Sequence, residues 1–155
     1  MPAFEIENLT LLKSYEGREF PATDWFVVTQ DRIQKFADAT EDHQWIHLDA
    51  ARAEHETSFG GTIAHGFLSV SLLSYFLRQA IQIRSGLKMA INYGLNKVRF
   101  PSALSAGSRV RARVTLLSVK ESPDFVDAAF LIQIEAESSI KPCCVVEWLL
   151  RYYRQ

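Results

Sequence analysis

From Phe67 to Ile83 the chain is apolar around nearly the whole circumference of a helix, and this stretch limits the possible folds more than any other. Leu68, Leu72, Phe76, Ala80 and Ile83 mark one helical face, while Val70, Leu73, Leu77 and Ile81 mark others. A helix of that kind has to be covered on all sides and belongs in a core. Ser69, Ser71, Ser74, Arg78, Gln79 and Gln82 interrupt it, which makes membrane insertion expensive. The covering must therefore come from the rest of a 155-residue chain, a length that suits one domain running from residue 1 to residue 155.

The second half supplies that covering. Ile91 to Phe100 reads as a strand ending at Pro101. Val110, Ala112, Val114 and Leu116 then alternate with Arg109, Arg111, Arg113 and Thr115, the period of a half-buried strand. Ser122-Pro123-Asp124 is turn chemistry. Beyond it Val126, Ala128, Phe130, Ile132, Ile134 and Ala136 share a face, and Cys144, Val146, Trp148, Leu150 and Tyr152 repeat the pattern in a last strand. These four strands are expected to pair antiparallel through short turns. In the first half, Asp24 to Val28 reads as a short strand. Thr29 suits the N-cap of a helix whose apolar face is Ile33, Phe36 and Ala37, with Asp31 in the first turn. Thr40 to Leu48 reads as an ordered loop, Asp49 caps a second helix from Ala50 to about Glu56, and Gly60-Gly61 breaks the chain. Helices followed by a run of strands define an α+β class, with an antiparallel sheet laid against the long helix. One sheet on one helix leaves an open edge and an uncovered face, which predicts a partner subunit.

Composition narrows the function classes. A hydrophobic fraction of 48% with 23% charged residues is that of a folded globular chain, and a formal net charge of -1 provides no basic field for nucleic acid or anionic membrane. The two cysteines, Cys143 and Cys144, are adjacent in an apolar run and cannot close a disulfide framework. The first residues lack a basic flank and an apolar signal core, so a cytoplasmic protein is expected.

Chemistry concentrates in one loop. Of four histidines, His43 and His47 share it with Glu41, Asp42 and Gln44. A carboxylate and an imidazole around one water can take a proton from it and deliver one elsewhere. The Asp42-x-x-x-x-His47 spacing permits this without imposing it, and such residues between helices commonly act as caps or surface groups. A metal site is not expected, since His43, His47, His55 and His65 form neither a His-Glu-x-x-His helix nor part of a Cys-x-x-Cys pair.

Phe36-Ala-Asp-Ala-Thr-Glu-Asp42-His-Gln-Trp-Ile-His47-Leu-Asp49, followed by Ile63-Ala-His65-Gly66-Phe-Leu, resembles the MaoC-like dehydratases and R-specific enoyl-CoA hydratases, and the Gln-Trp-Ile-His variant resembles their nodulation-protein-N-like branch. The resemblance runs from about Trp25 to Phe100-Pro101 and more loosely through the last strands. It implies a hot-dog fold and reversible hydration of trans-2-enoyl thioesters to R-3-hydroxyacyl thioesters, a hydro-lyase activity without a resident cofactor, because coenzyme A arrives on the acyl-CoA substrate. It implies Asp42 and His47 as the catalytic dyad. The Gly66 N–H would meet the thioester carbonyl, with His65 beside it as a further substrate-side candidate. Ser74 and Gln44 would be supporting residues, Ser74 behind the aspartate, and the assembly would be a homodimer. Two other readings of the resemblance stay open: a hot-dog acyl-CoA thioesterase and a non-catalytic acyl-thioester-binding domain. The chain departs from the family pattern at Glu41, where many members have Gly, at Gln44, where many have Asn, and at Trp45, where many have Pro.

Overall fold

The computed structural model describes residues 1–155. In chain order the elements are β1 (Phe4–Ile6), a 3-10 turn (Leu9–Tyr15), β2 (Phe26–Val27), α1 (Gln30–Thr40), α2 (Trp45–Leu48), α3 (Ala50–Glu56), α4 (Gly66–Ser71), α5 (Leu73–Ala80), β3 (Ile81–Ile83), β4 (Leu87–Arg99), β5 (Arg109–Glu121), β6 (Phe125–Ala136) and β7 (Cys144–Arg154). The capping residues perform as their chemistry requires. The Thr29 hydroxyl accepts from the Arg32 N–H at 3.1 Å, and the Asp49 carboxylate accepts from the Arg52 N–H at 3.0 Å, each meeting a first-turn donor that has no partner within its helix.

The main sheet has the order β2-β5-β6-β7-β4 and is antiparallel throughout. Its inner face is the one the alternation marks. Val110, Ala112, Val114 and Leu116 of β5, Phe130, Ile132 and Ile134 of β6, and Val146, Trp148 and Leu150 of β7 are all buried. On the outer face Arg111 and Arg113 both reach Glu135, and Arg109 reaches Glu137. Pairs this open to water add at most about 1 kcal/mol each. The fold is held by the apolar face, where each fully buried large side chain contributes roughly 1.5–3 kcal/mol.

Two expectations need correction. The strands do not pair in simple chain order: β4 leaves β5 and lies against β7 at the far edge, while β5 takes β2 on its other side. Alternation fixes which face of a strand is buried and is silent about which strand lies next to it. The apolar segment is also not one helix to Ile83. It is α4 and α5 with a tightened turn at Leu72, whose N–H still reaches the Leu68 carbonyl at 3.1 Å, and Phe76 N–H reaches Leu72 in turn, so the two form one rod. Ser71 bonds back to the Phe67 carbonyl at 2.7 Å, a competition with the backbone that bends helices. The last three residues leave the rod as β3, pairing in parallel with β1. Three residues are too few to show a period, and their partner lies 77 positions upstream in the register Phe4 to Ile81.

The rod presses Leu68, Leu73, Phe76, Leu77 and Ala80 into the concave side of the sheet. Phe76 is completely buried, so Phe76→Ala should lower stability by about 3–5 kcal/mol, seen as a shifted denaturant midpoint. Arg113→Ala, on the outer face, should leave the midpoint close to the wild-type value.

Candidate active site

The loop and the rod meet at the N-terminal end of α4. His47 sits in α2, a one-turn helix that sequence reading treats as loop because four residues cannot display a helical period. Its ring is buried and its Nδ1 lies 2.7 Å from the Ile63 carbonyl oxygen. A carbonyl only accepts, so Nδ1 carries the hydrogen and Nε2 keeps its lone pair. The backbone is clamped as well: Gln30 donates to the His47 carbonyl at 2.8 Å, and Thr62 donates to Gln30 at 2.5 Å. Gln30 and Thr62 escape sequence reading because neither belongs to a periodic or chemical motif.

Asp42 lies at the mouth, its carboxylate more than half exposed. The ligand-type atoms of Asp42, His47 and His65 lie within 4.8 Å of one another. His65 is only 3% exposed. Its Nε2 donates to the Asp42 main-chain carbonyl at 3.0 Å and is 4.0 Å from the carboxylate, while its Nδ1 has no hydrogen-bond partner. Its ring stacks on His47 with centroids 3.7 Å apart and planes 25° apart, and Phe36 covers it at 4.9 Å. Imidazole lone pairs lie in the ring plane, so two near-parallel rings direct them side by side rather than at one point. The His-His-Asp trio is therefore poorly arranged to share a metal ion. His65 thus lies between His47 and Phe36, with its Nε2 on the Asp42 main chain.

Gly66 is the first residue of α4, and its N–H has no acceptor within the helix. A Cβ at this position would lie 2.9 Å from the exposed Phe100 ring, so a larger residue would push that ring aside. Gln44 supports Asp42 through its backbone, whose N–H points to the carboxylate at 3.4 Å, and its carbonyl accepts the His47 N–H at 3.0 Å. Ser74 makes no hydrogen bond to Asp42. It lines a cavity of about 650 Å³ between α5 and the β4–β7 edge, together with Leu77, Arg78, Asn92, Trp148 and Tyr152. A second cavity of about 390 Å³ shares Ser74, Asn92 and Trp148 and adds Val70. Sequence reading missed this channel because its wall is shared between the rod and two strands remote in sequence. Cys143 and Cys144 are free and buried, and burial pushes their thiols up to about 11 and about 12, so neither is a nucleophile.

A curled antiparallel sheet around a buried rod, with a carboxylate-imidazole pair at the rod's N-terminal end, defines a hot-dog protein of the hydratase and dehydratase class. Residues 12–128 match the MaoC like domain, and the chain belongs to that family. It is 45% identical over 147 residues to the 3-hydroxyacyl-thioester dehydratase Z of Mycobacterium tuberculosis, covering 94% of this chain and 96% of that protein. It is 40% identical over 143 residues to nodulation protein N of Rhizobium leguminosarum bv. viciae, covering 92% and 89%. The fold is shared with the (R)-hydratase from A. caviae involved in PHA biosynthesis, at TM-score 0.69 and 24% identity over 87% of this chain and 94% of that one.

Burial, first, and the neighbouring His65 hold the His47 imidazole below its ordinary value of 6.5, despite the Ile63 and Asp42 interactions that raise it. The folded state then binds this proton less readily than the unfolded chain, so His47 removes stability as pH falls from about 6.5 toward its lowered value and is neutral in effect above 6.5. His43 acts oppositely, because its bond to Asp38 raises it. Melting temperatures measured from pH 7.5 to pH 5 should therefore fall less steeply in His47→Gln than in the wild type.

Proposed function

We propose that the chain catalyses reversible syn hydration of trans-2-enoyl thioesters, enoyl-CoA above all, to R-3-hydroxyacyl thioesters. The observation that carries this reading is the contact of His47 Nδ1 with the Ile63 carbonyl oxygen at 2.7 Å. With Nδ1–H committed to Ile63, Nε2 stands as a neutral base beside the Asp42 carboxylate. The similarity to a 3-hydroxyacyl-thioester dehydratase over nearly the full length of both chains supports the substrate class.

In this mechanism Asp42 orients a water, and His47 Nε2 takes its proton as the oxygen attacks C3 of the enoyl group. The electron pair of the double bond moves toward the thioester carbonyl, whose oxygen becomes enolate-like and meets the Gly66 N–H. The imidazolium, held next to the Asp42 carboxylate, returns the proton to C2 on the same face. Water is the only co-reactant, and coenzyme A enters and leaves with the acyl group. Gly66, Val70 and Ser74 recur every four residues along the rod, so an acyl chain leaving a carbonyl at Gly66 can follow that row into the channel beside Trp148.

Asp42→Asn and His47→Gln should each lower hydration of a trans-2-enoyl-CoA by about a hundredfold to ten-thousandfold, followed as loss of the enoyl absorbance. The double variant should be scarcely worse than either single one, because both groups act on one water. Retained turnover in Asp42→Asn would sink the mechanism.

We further propose a cytoplasmic homodimer of a single domain spanning residues 1–155. Its support is the open β4 edge, where Met89, Ile91, Tyr93 and Leu95 are all exposed. No helix is long and apolar enough to cross a membrane. Light scattering should give twice the chain mass for the wild type and a single chain mass for Ile91→Arg. A wild-type monomer with full activity would overturn the assembly.

A further inference from the structure

We propose that His65 is a positioning residue that ties Asp42 to the helix bearing Gly66, so that the acid–base pair and the carbonyl donor keep one fixed separation. This rests on the hydratase reading of the site. The ring lies between His47 and Phe36 with its Nε2 on the Asp42 main chain, so whatever it does passes through its neighbours. Three contacts define those neighbours. Nε2–H donates to the Asp42 carbonyl at 3.0 Å, one ring face lies on His47 at 3.7 Å, and Phe36 packs against the ring at 4.9 Å. The next residue in the chain is Gly66, and His65 is the N-cap position of α4.

Asp42 has few other restraints. Its carboxylate accepts only a long bond, 3.4 Å, from the Gln44 N–H. It follows Glu41, which sits in the left-handed region at φ 61° as the C-cap of α1. Without the His65 bond, the catalytic carboxylate would hang from a strained turn with nothing joining it to α4. The site thus depends on a side chain that is both a flat plate, filling the gap between Phe36 and His47, and an N–H donor at the far edge of that plate. Phenylalanine provides the plate without the donor, and glutamine the donor without the plate.

The unpartnered Nδ1 separates this role from a packing role. A buried ring nitrogen without a partner opposes stability, so a residue serving the core alone would be better as phenylalanine.

The test compares hydration of trans-2-enoyl-CoA by wild type, His65→Phe, His65→Gln and the pair His65→Phe with Asp42→Asn, with melting temperatures for each. In His65→Phe, kcat should fall about tenfold to a hundredfold, the loss expected for a catalytic group displaced by about 1 Å. KM should stay within about twofold, and the melting temperature should be unchanged or higher. His65→Gln should recover most of kcat even if it melts lower. Added to Asp42→Asn, His65→Phe should cost almost nothing further, since it acts through that residue. Unchanged kcat in His65→Phe, a loss that Gln does not relieve, or a full additional loss in the Asp42→Asn background would overturn the proposal. A wild type that does not hydrate enoyl thioesters would instead overturn the functional reading itself.

Discussion

Burial of the α4–α5 rod in the concave face of the sheet is the constraint on which the rest depends. Leu68, Leu73, Phe76 and Leu77 face the buried side chains of β5, β6 and β7, and that contact sets where the N-terminal end of the rod emerges. The segment before it, Thr62 to Ala64, is then pinned from both sides. Ala64 N–H reaches Leu104, Ala106 N–H reaches Thr62, and Ile63 N–H reaches Ile46. Because Ile63 is held by its N–H, its carbonyl is free to fix His47. The position of the His47 imidazole is thus inherited from apolar packing elsewhere in the chain, which is the usual way a rigid core lends precision to a loop.

Polar burial follows the same geography. Only five polar residues are buried, Thr23, His47, Thr62, His65 and Ser69, and three of them converge on the loop and the segment leading into α4. Buried polar groups that lack partners are costly, and this cluster is nearly saturated. Thr62 satisfies Gln30, Gln30 satisfies the His47 carbonyl, and His47 satisfies Ile63. The one orphan is His65 Nδ1.

Most of the sheet was legible in the chain because period-two alternation is a direct image of a surface buried on one side: Val110, Ala112, Val114 and Leu116 face inward as their spacing requires. The caps at Thr29 and Asp49 were legible for an equally local reason. Neighbour relations were not, since β4 joins β7 across separations running from Arg99↔Val145 to Leu87↔Arg154 and nothing in either strand encodes that choice. At the site, the order Asp42, His47, Gly66 was legible through a family motif, but the Gln30–Thr62 relay and the stacked His65 arise only when three separate segments come together. Ser74 shows the limit of motif transfer: it lies on the rod, the expected contact with Asp42 is absent, and it lines two adjoining cavities with Leu77, Arg78, Asn92 and Trp148.

The departures from the family pattern have physical explanations in the same loop. Glu41 is the only residue other than glycine with positive φ, which accounts for the glycine that many relatives carry there. A side chain in the left-handed region costs roughly 1–2 kcal/mol, so this chain tolerates a strained C-cap immediately before Asp42. Trp45 is the first residue of α2, a position where proline is favoured because the N–H has no helical acceptor. Tryptophan gives up that preorganisation and gains a cation–π contact, with the Arg52 guanidinium 4.0 Å from the ring. Arg52 belongs to α3, so the contact fastens α2 to the following helix. Exchanging proline for tryptophan gives up local backbone restraint and replaces it with a tie to a neighbouring element, which makes the tertiary restraints on His47 more important here than in a relative with proline at this position.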